Sequence, residues 1–142
     1  GLAERGLSKL RNELDDLRRE KERAEANIEK SKQRAAEAVI TQERSRQTAD
    51  ELGPRITALQ GELGTTPDKE GQKELSALIR DKDRALSDQR KAQDLERDMI
   101  KNGDDLVWAI KKNVEDQARK SEEIARQETL VATLKEKLNT IR

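Results

Sequence analysis

Counted in sevens from Leu7, a mostly small and apolar stripe continues for about 60 residues with no residue skipped to keep its register. Leu7, Leu14, Lys21, Ile28, Ala35, Gln42, Ala49, Ile56 and Leu63 fall at one seam position of the heptad. Ala3, Leu10, Leu17, Ala24, Ser31, Ala38, Ser45, Leu52 and Leu59 fall at the other. A stripe that recurs every 3.5 residues on average lies along one side of a slightly underwound helix, so the pattern predicts a left-handed coiled coil. At about 1.5 Å per residue, a single helix over this segment would be roughly 90 Å long.

Composition agrees with a seam and disagrees with a globular core. Of the 142 residues, 42% are charged and 32% hydrophobic, and Trp108 is the only aromatic side chain. Large aromatic rings usually supply much of a three-dimensional core, whereas a thin interface between helices needs only Leu, Ile, Val and Ala. High charge also invites disorder. Here the abundant residues are Glu, Lys, Arg, Ala, Leu and Gln, all strong helix formers, and proline occurs only at Pro54 and Pro67.

The charges on the flanks serve solubility and register. In DDLRREKERAE, Asp15 and Arg19 stand four residues apart and attract, while Arg19 and Arg23 at the same spacing repel. Thirty basic side chains balance thirty acidic ones, so no net field draws the chain to nucleic acid or to anionic lipid. The first 34 residues, with ten basic and eight acidic groups, form no basic arm. No apolar run approaches the ~20 residues of a membrane span, and GLAERGLSKL is not a signal peptide. The chain reads as a soluble interior fragment, with an intracellular location, cytoplasmic or cytoskeletal, favoured.

Gly53-Pro54 lies inside the register without shifting it. Pro54 takes an outward position but removes a backbone donor and disfavours helix at the preceding residue, which predicts a kink or a local break. The second half repeats less cleanly. Leu75, Leu78, Lys82, Ala85, Gln89 and Ala92 keep the three-four spacing, after which Leu95, Met99, Asn102 and Leu106 imply a stammer at Leu95. Asn102-Gly103 can end one helix and Asp104 or Asp105 can cap another, so a break is expected there. The apolar face then broadens over Leu106, Val107, Trp108, Ile110 and Val114. A clean repeat returns with Ile124, Gln127, Val131, Leu134, Leu138 and Ile141.

In GTTPDKEG, a helix end and a helix start lie almost together. Gly64 can adopt the left-handed conformation that closes a last turn, Thr66 can cap, Pro67 suits a first helical position, and Asp68 and Glu70 favour the positive end of the dipole. So short a connection fits two antiparallel helices. A tight reversal near Thr65 would pair Ile56 with Leu75, Leu52 with Leu78 or Ile79, Gln42 with Gln89, Ala38 with Ala92, Ala35 with Leu95 and Ser31 with Met99. A looser turn nearer Lys69 would instead pair Leu14 with Ile124 and Ala38 with Met99. The rival arrangement is a parallel homodimer in which residues 64–66 link two rod segments and Lys21 and Gln42 meet their own copies. The tighter turn leaves the stripe Val131, Leu134, Leu138 and Ile141 without a partner, so self-association is expected to cover it.

Catalytic vocabulary is missing. There is no His and no Cys, so Ser-His and Cys-His nucleophiles and the common zinc sets cannot be assembled. Asp15-Asp16, Asp104-Asp105 and Glu122-Glu123 are neighbours on helices, point apart and read as solvated acids rather than cation ligands. The glycines follow no phosphate-loop pattern. Trp108, beside Leu106, Val107, Ile110 and Val114, can anchor a partner or fill space where helices separate.

The expected fold is therefore all-α: an elongated antiparallel coiled-coil helical hairpin, broken near Asn102-Gly103 and associating laterally or end-on. Its parts would be a first helix over 1–63, a turn at 64–66, a second helix over 67–102, and a C-terminal part over 103–142 that carries the Trp108 patch. The expected function is non-enzymatic: a structural rod or scaffold that assembles, spaces or tethers. The alternative is a module that recognises a partner helix through the Trp108 region. Candidate interface residues are Leu7, Leu10, Leu14, Leu17, Leu106, Val107, Trp108, Ile110, Val114, Val131, Leu134 and Leu138. The expected partners are proteins, either further copies in a homo-oligomer or another coiled-coil protein. Nucleic acid, membrane insertion and cofactors are not expected.

Overall fold

The computed structural model describes residues 1–65 and 68–141. Two helices account for nearly all of them, α1 over Leu2–Thr65 and α2 over Lys69–Ile141, and they pack against each other as a helical hairpin. The reversal occurs within one chain, as the closely spaced stop and start signals predict. Contacts divide the hairpin into two compact units, each containing a piece of both helices: Gly1–Glu29 with the residues from Gly103 onward, and Lys30–Asn102.

Apart from Glu13 and Gly53, the buried and half-buried residues of α1 follow the heptad read from Leu7, from Ala3 to Leu63. The outward faces are laced by local ion pairs, among them Arg46 with Glu43 and with Asp50 (2.7 Å), Arg97 with Asp94 (3.0 Å) and Lys21 with Glu25 (3.6 Å). Near the first leucines the pairs form at three-residue spacing, Arg18 with Asp15 and Arg19 with Asp16, rather than at the four-residue spacing of Asp15 and Arg19. Such exposed contacts each contribute little against solvent screening, so most of the stability of helices this long comes from the seam.

Two expected breaks are absent, and one expected helix end forms without the conformation assigned to it. α1 runs through Gly53-Pro54 without a break. Pro54 and Asp50 lie on the solvated face, so the Asp50 carbonyl that loses its amide partner is open to water. α1 also continues past Gly64 to Thr65, and no described glycine has a positive φ, so Gly64 does not close the helix in a left-handed conformation. α2 passes through Asn102-Gly103 as one helix, because Asn102 is engaged across the seam rather than in a cap.

The start of α2 is fixed by Asp68. Its side-chain Oδ1 accepts from the Glu70 amide at 3.1 Å and its carbonyl accepts from the Gln72 amide at 3.0 Å, the two bonds expected of an N-cap residue. The capping and first-turn roles assigned to Thr66 and Pro67 lie outside the described residues. At Gly71 the arms approach so closely that an added Cβ would stand 2.6 Å from Leu63 Cδ2, a position that glycine alone fills without displacing that leucine.

The Lys30–Asn102 unit has an apolar cluster of Leu52, Ile56 and Leu78, against which Leu59 and Leu75 pack. Leu52 with Leu78 and Ile56 with Leu75 are thereby brought together as the tight reversal predicts. Away from the cluster, small residues carry the seam: Ser31, Ala38, Ala49, Ala85 and Ala92 are all buried. The other unit has its own cluster of Leu7, Leu14 and Ile124, with Leu10 packed against it. Ile124 packs with both Leu7 and Leu14, so this cluster is shared between the tight pairing and the looser one.

Candidate interaction surfaces

The seam of α2 explains why neither sequence pairing holds throughout. In the Lys30–Asn102 unit the buried and half-buried positions, Leu86 and Ser87 aside, step through Gly71, Leu75, Leu78, Lys82, Ala85, Gln89, Ala92, Glu96 and Met99. In the other unit they step through Gly103, Leu106, Ile110, Asn113, Gln117, Lys120, Ile124, Gln127 and Val131. The spacing is an unbroken alternation of four and three, so the stammer expected at Leu95 does not exist. Leu95 is 44% exposed, and the polar Glu96 takes its place in the seam.

Glu96 is tolerated there because α1 supplies a donor. Gln42 Nε2 donates to Glu96 Oε1 at 3.1 Å and lies 3.4 Å from the Ala92 carbonyl, so Gln42 is satisfied by these groups and not by Gln89. Ser31, expected opposite Met99, instead accepts at Oγ from Asn102 Nδ2 at 2.7 Å. Each polar side chain has moved its contact further along α2 than the tight reversal would place it. A buried amide or hydroxyl costs free energy unless paired. Among the described residues, no buried side-chain nitrogen or oxygen lacks a partner.

The unit that contains Trp108 holds a second polar layer that sequence reasoning did not find. Asn113 is buried and its Nδ2 donates to the Leu17 carbonyl at 2.9 Å, while its Oδ1 accepts from Gln117 Nε2 at 2.6 Å. Two turns beyond Asn113, Lys120 forms an ion pair with Glu13. The hydrogen bond from Lys120 holds the Glu13 carboxyl below its ordinary value, and the same bond raises the Lys120 ammonium. Arg11 with Glu128 at 3.1 Å and Lys135 with Glu4 at 3.8 Å extend the cross-helix contacts. A strict count of sevens continued from Leu106 would have reached Asn113 and Lys120. Attention to apolar residues passed over both.

The twelve candidate interface residues separate into two groups. Leu7 and Leu14 are buried between the helices of this chain, and Leu10, Leu17, Leu106, Ile110 and Val131 are half-buried along the same seam. Val107, Trp108, Val114, Leu134 and Leu138 point outward; Trp108 is 57% exposed, so it does not fill space between the helices. The Lys111 and Lys112 ammonium groups stand 5.7 and 5.4 Å from the centre of its ring, within the range at which a cation is attracted to an aromatic face. Ile40, Val39, Ile79 and Ile100 are exposed in the Lys30–Asn102 unit. Beside its small-residue seam runs an open groove floored by Ala38 and Ala92 and rimmed by Arg34, Glu37, Asp88 and Lys91.

Among the described residues, no group of three or more acidic side chains is placed to hold a metal ion, and no helix is long and apolar enough to cross a membrane. The arrangement can hold two helices in register and present apolar side chains outward. Compared with known proteins, the chain matches no family model, no curated protein and no solved structure.

Proposed function

We propose that this chain is a structural coiled-coil scaffold that acts by self-assembly, spacing or tethering, without catalysis. The observation that carries this reading is the division of its large apolar residues. One set is consumed by the intramolecular seam, and a second set, Val107, Trp108, Val114, Leu134 and Leu138, remains exposed on the other faces of α2. Large apolar side chains gathered outward on one helix mark a contact that has yet to be made. A hairpin already closed on itself is free to use such a surface laterally. Sedimentation velocity over a wide concentration range is the direct test: reversible growth in mass supports the scaffold, and a monomer at every concentration rejects it.

The second reading, a module that captures a partner helix in a one-to-one complex, is favoured by Trp108 in particular. Exposed aromatic anchors often dominate an interface. It predicts that Trp108→Ala abolishes capture of the partner without changing the mass of the isolated chain.

A further inference from the structure

The exposed face centred on Trp108 has an arrangement of charge that is its own complement. Asp104 and Asp105 stand four and three residues before Trp108, and Lys111 and Lys112 stand three and four residues after it. On a helix, residues three and four apart share one face. α2 is continuous here and all five residues are exposed, so the two acids, the ring and the two bases lie along one outward strip. Along the sequence the inversion continues, with Lys101 seven residues before Trp108 and Glu115 seven after.

We propose that this strip is a homodimer interface, in which α2 of one chain lies antiparallel on α2 of a second copy with the two-fold axis at Trp108. The inference rests on the self-assembly reading and names the face that carries it. In an antiparallel pair, a residue a given number of positions before the axis meets the residue the same number after it. Asp104 then meets Lys112 of the copy and Asp105 meets Lys111, and two-fold symmetry makes each pair occur twice. The two indole rings meet at the axis, where offset stacking is favourable. Val107 lies beside the axis and enlarges the apolar centre that the charges rim.

A parallel pairing of the same strip would place Asp104 on Asp104 and Lys112 on Lys112, so the charges select the antiparallel arrangement and reject the other. An unrelated partner would need no such symmetry in this chain. A second copy does, which is why the occupant is assigned as this chain itself. In the free chain, Lys111 and Lys112 cover the ring; in the dimer they exchange that contact for the carboxylates of the copy.

The test is sedimentation equilibrium on the full chain and two double variants, Asp104→Lys with Asp105→Lys, and Lys111→Asp with Lys112→Asp. Each variant alone carries one sign on both sides of Trp108, so its self-association should weaken on the order of tenfold or more. Mixed together, the two variants restore every pair, and a heterodimer should form with an affinity near that of the unaltered chain. Recovery on mixing also shows that both variants are folded. Self-association that is unchanged in the double variants, or that fails to recover on mixing, overturns the Trp108 interface while leaving assembly through another face. A monomer at every concentration overturns both this interface and the scaffold reading.

Discussion

Within the Lys30–Asn102 unit, one stretch of seam is built from Leu52, Ile56 and Leu78 and another from Ser31, Ala38, Ala49, Ala85 and Ala92. By relative exposure the second is the better covered, since Ala38 is 2% exposed while Leu52 and Leu78 are 7% and 8%. By free energy the order reverses. A leucine removes several more carbons from water than an alanine, and each buried methylene contributes about 0.8 kcal/mol. Completeness of burial and strength of attachment are therefore separate properties. An alanine is covered when the facing side chains reach almost to the helix backbone, which fixes position closely and contributes little to holding the arms together.

The largest change that sharpens this contrast is Leu78→Ala, which should cost about 2–4 kcal/mol in urea unfolding, against well under half of that for Ala49→Gly after correction for helix propensity. Equal losses at the two sites would break the comparison. Next is Ala38→Leu. If the facing side chains do approach the backbone, the added bulk should destabilise by about 1–3 kcal/mol; a gain in stability would show that the small-residue stretch is loosely packed. Gly103→Ala extends the series to the smallest seam residue. A Cβ there meets nothing within 4 Å and the backbone is helical, so stabilisation of about 0.5–1 kcal/mol is expected in thermal melts. Loss of stability would instead restore the helix break that the sequence implied.

Amide hydrogen exchange reads a like contrast without mutation: residues 31–49 should exchange faster than residues 10–17, which include Leu14 of the apolar cluster and Leu10 packed against it. The smallest effect concerns acid. Because the folded Glu13 carboxyl lies below its ordinary 4.5, its contribution is present above that value and disappears as pH falls through the lowered one. Lys120, raised in the folded state, loses its share only as pH rises beyond 10.5, so the pair is intact across the neutral range. Urea midpoints of the unaltered chain and of Glu13→Gln should therefore converge as pH falls below 4.5 and through the lowered value. A constant gap would remove the ion pair from the account.

The legible part of the fold was the part written in apolar residues. The seam of α1, the reversal near Gly64 and the outward placement of Leu134 and Leu138 follow from Leu, Ile and Ala at regular spacing and from the charged flanks. The register of α2 was misread because its seam is held in part by Glu96, Asn113, Gln117 and Lys120. Each of these owes its position to a partner on the same or the other helix, and a partner cannot be seen before the pairing is known. The break expected at Gly103 failed for a related reason. Gly103 permits a left-handed turn, but with α1 and α2 packed against each other the helical conformation also buries seam residues, and that outweighs the permission. Trp108 was found by sequence, while the sign inversion around it became meaningful only once α2 proved continuous and the ring proved exposed.

The unbroken alternation of threes and fours along both arms limits how a chain of this kind can change in length. A single inserted residue turns everything beyond it by about 100° around the helix and carries the stripe away from its partner. Seven residues added to one arm restore the stripe but shift every later rung against the opposite arm, parting Asn113 from Leu17 or Gln42 from Glu96. Growth or shrinkage is thus tolerated mainly as matched blocks of seven, added to both arms across from each other. Its natural variants should differ by whole double rungs, as a ladder does.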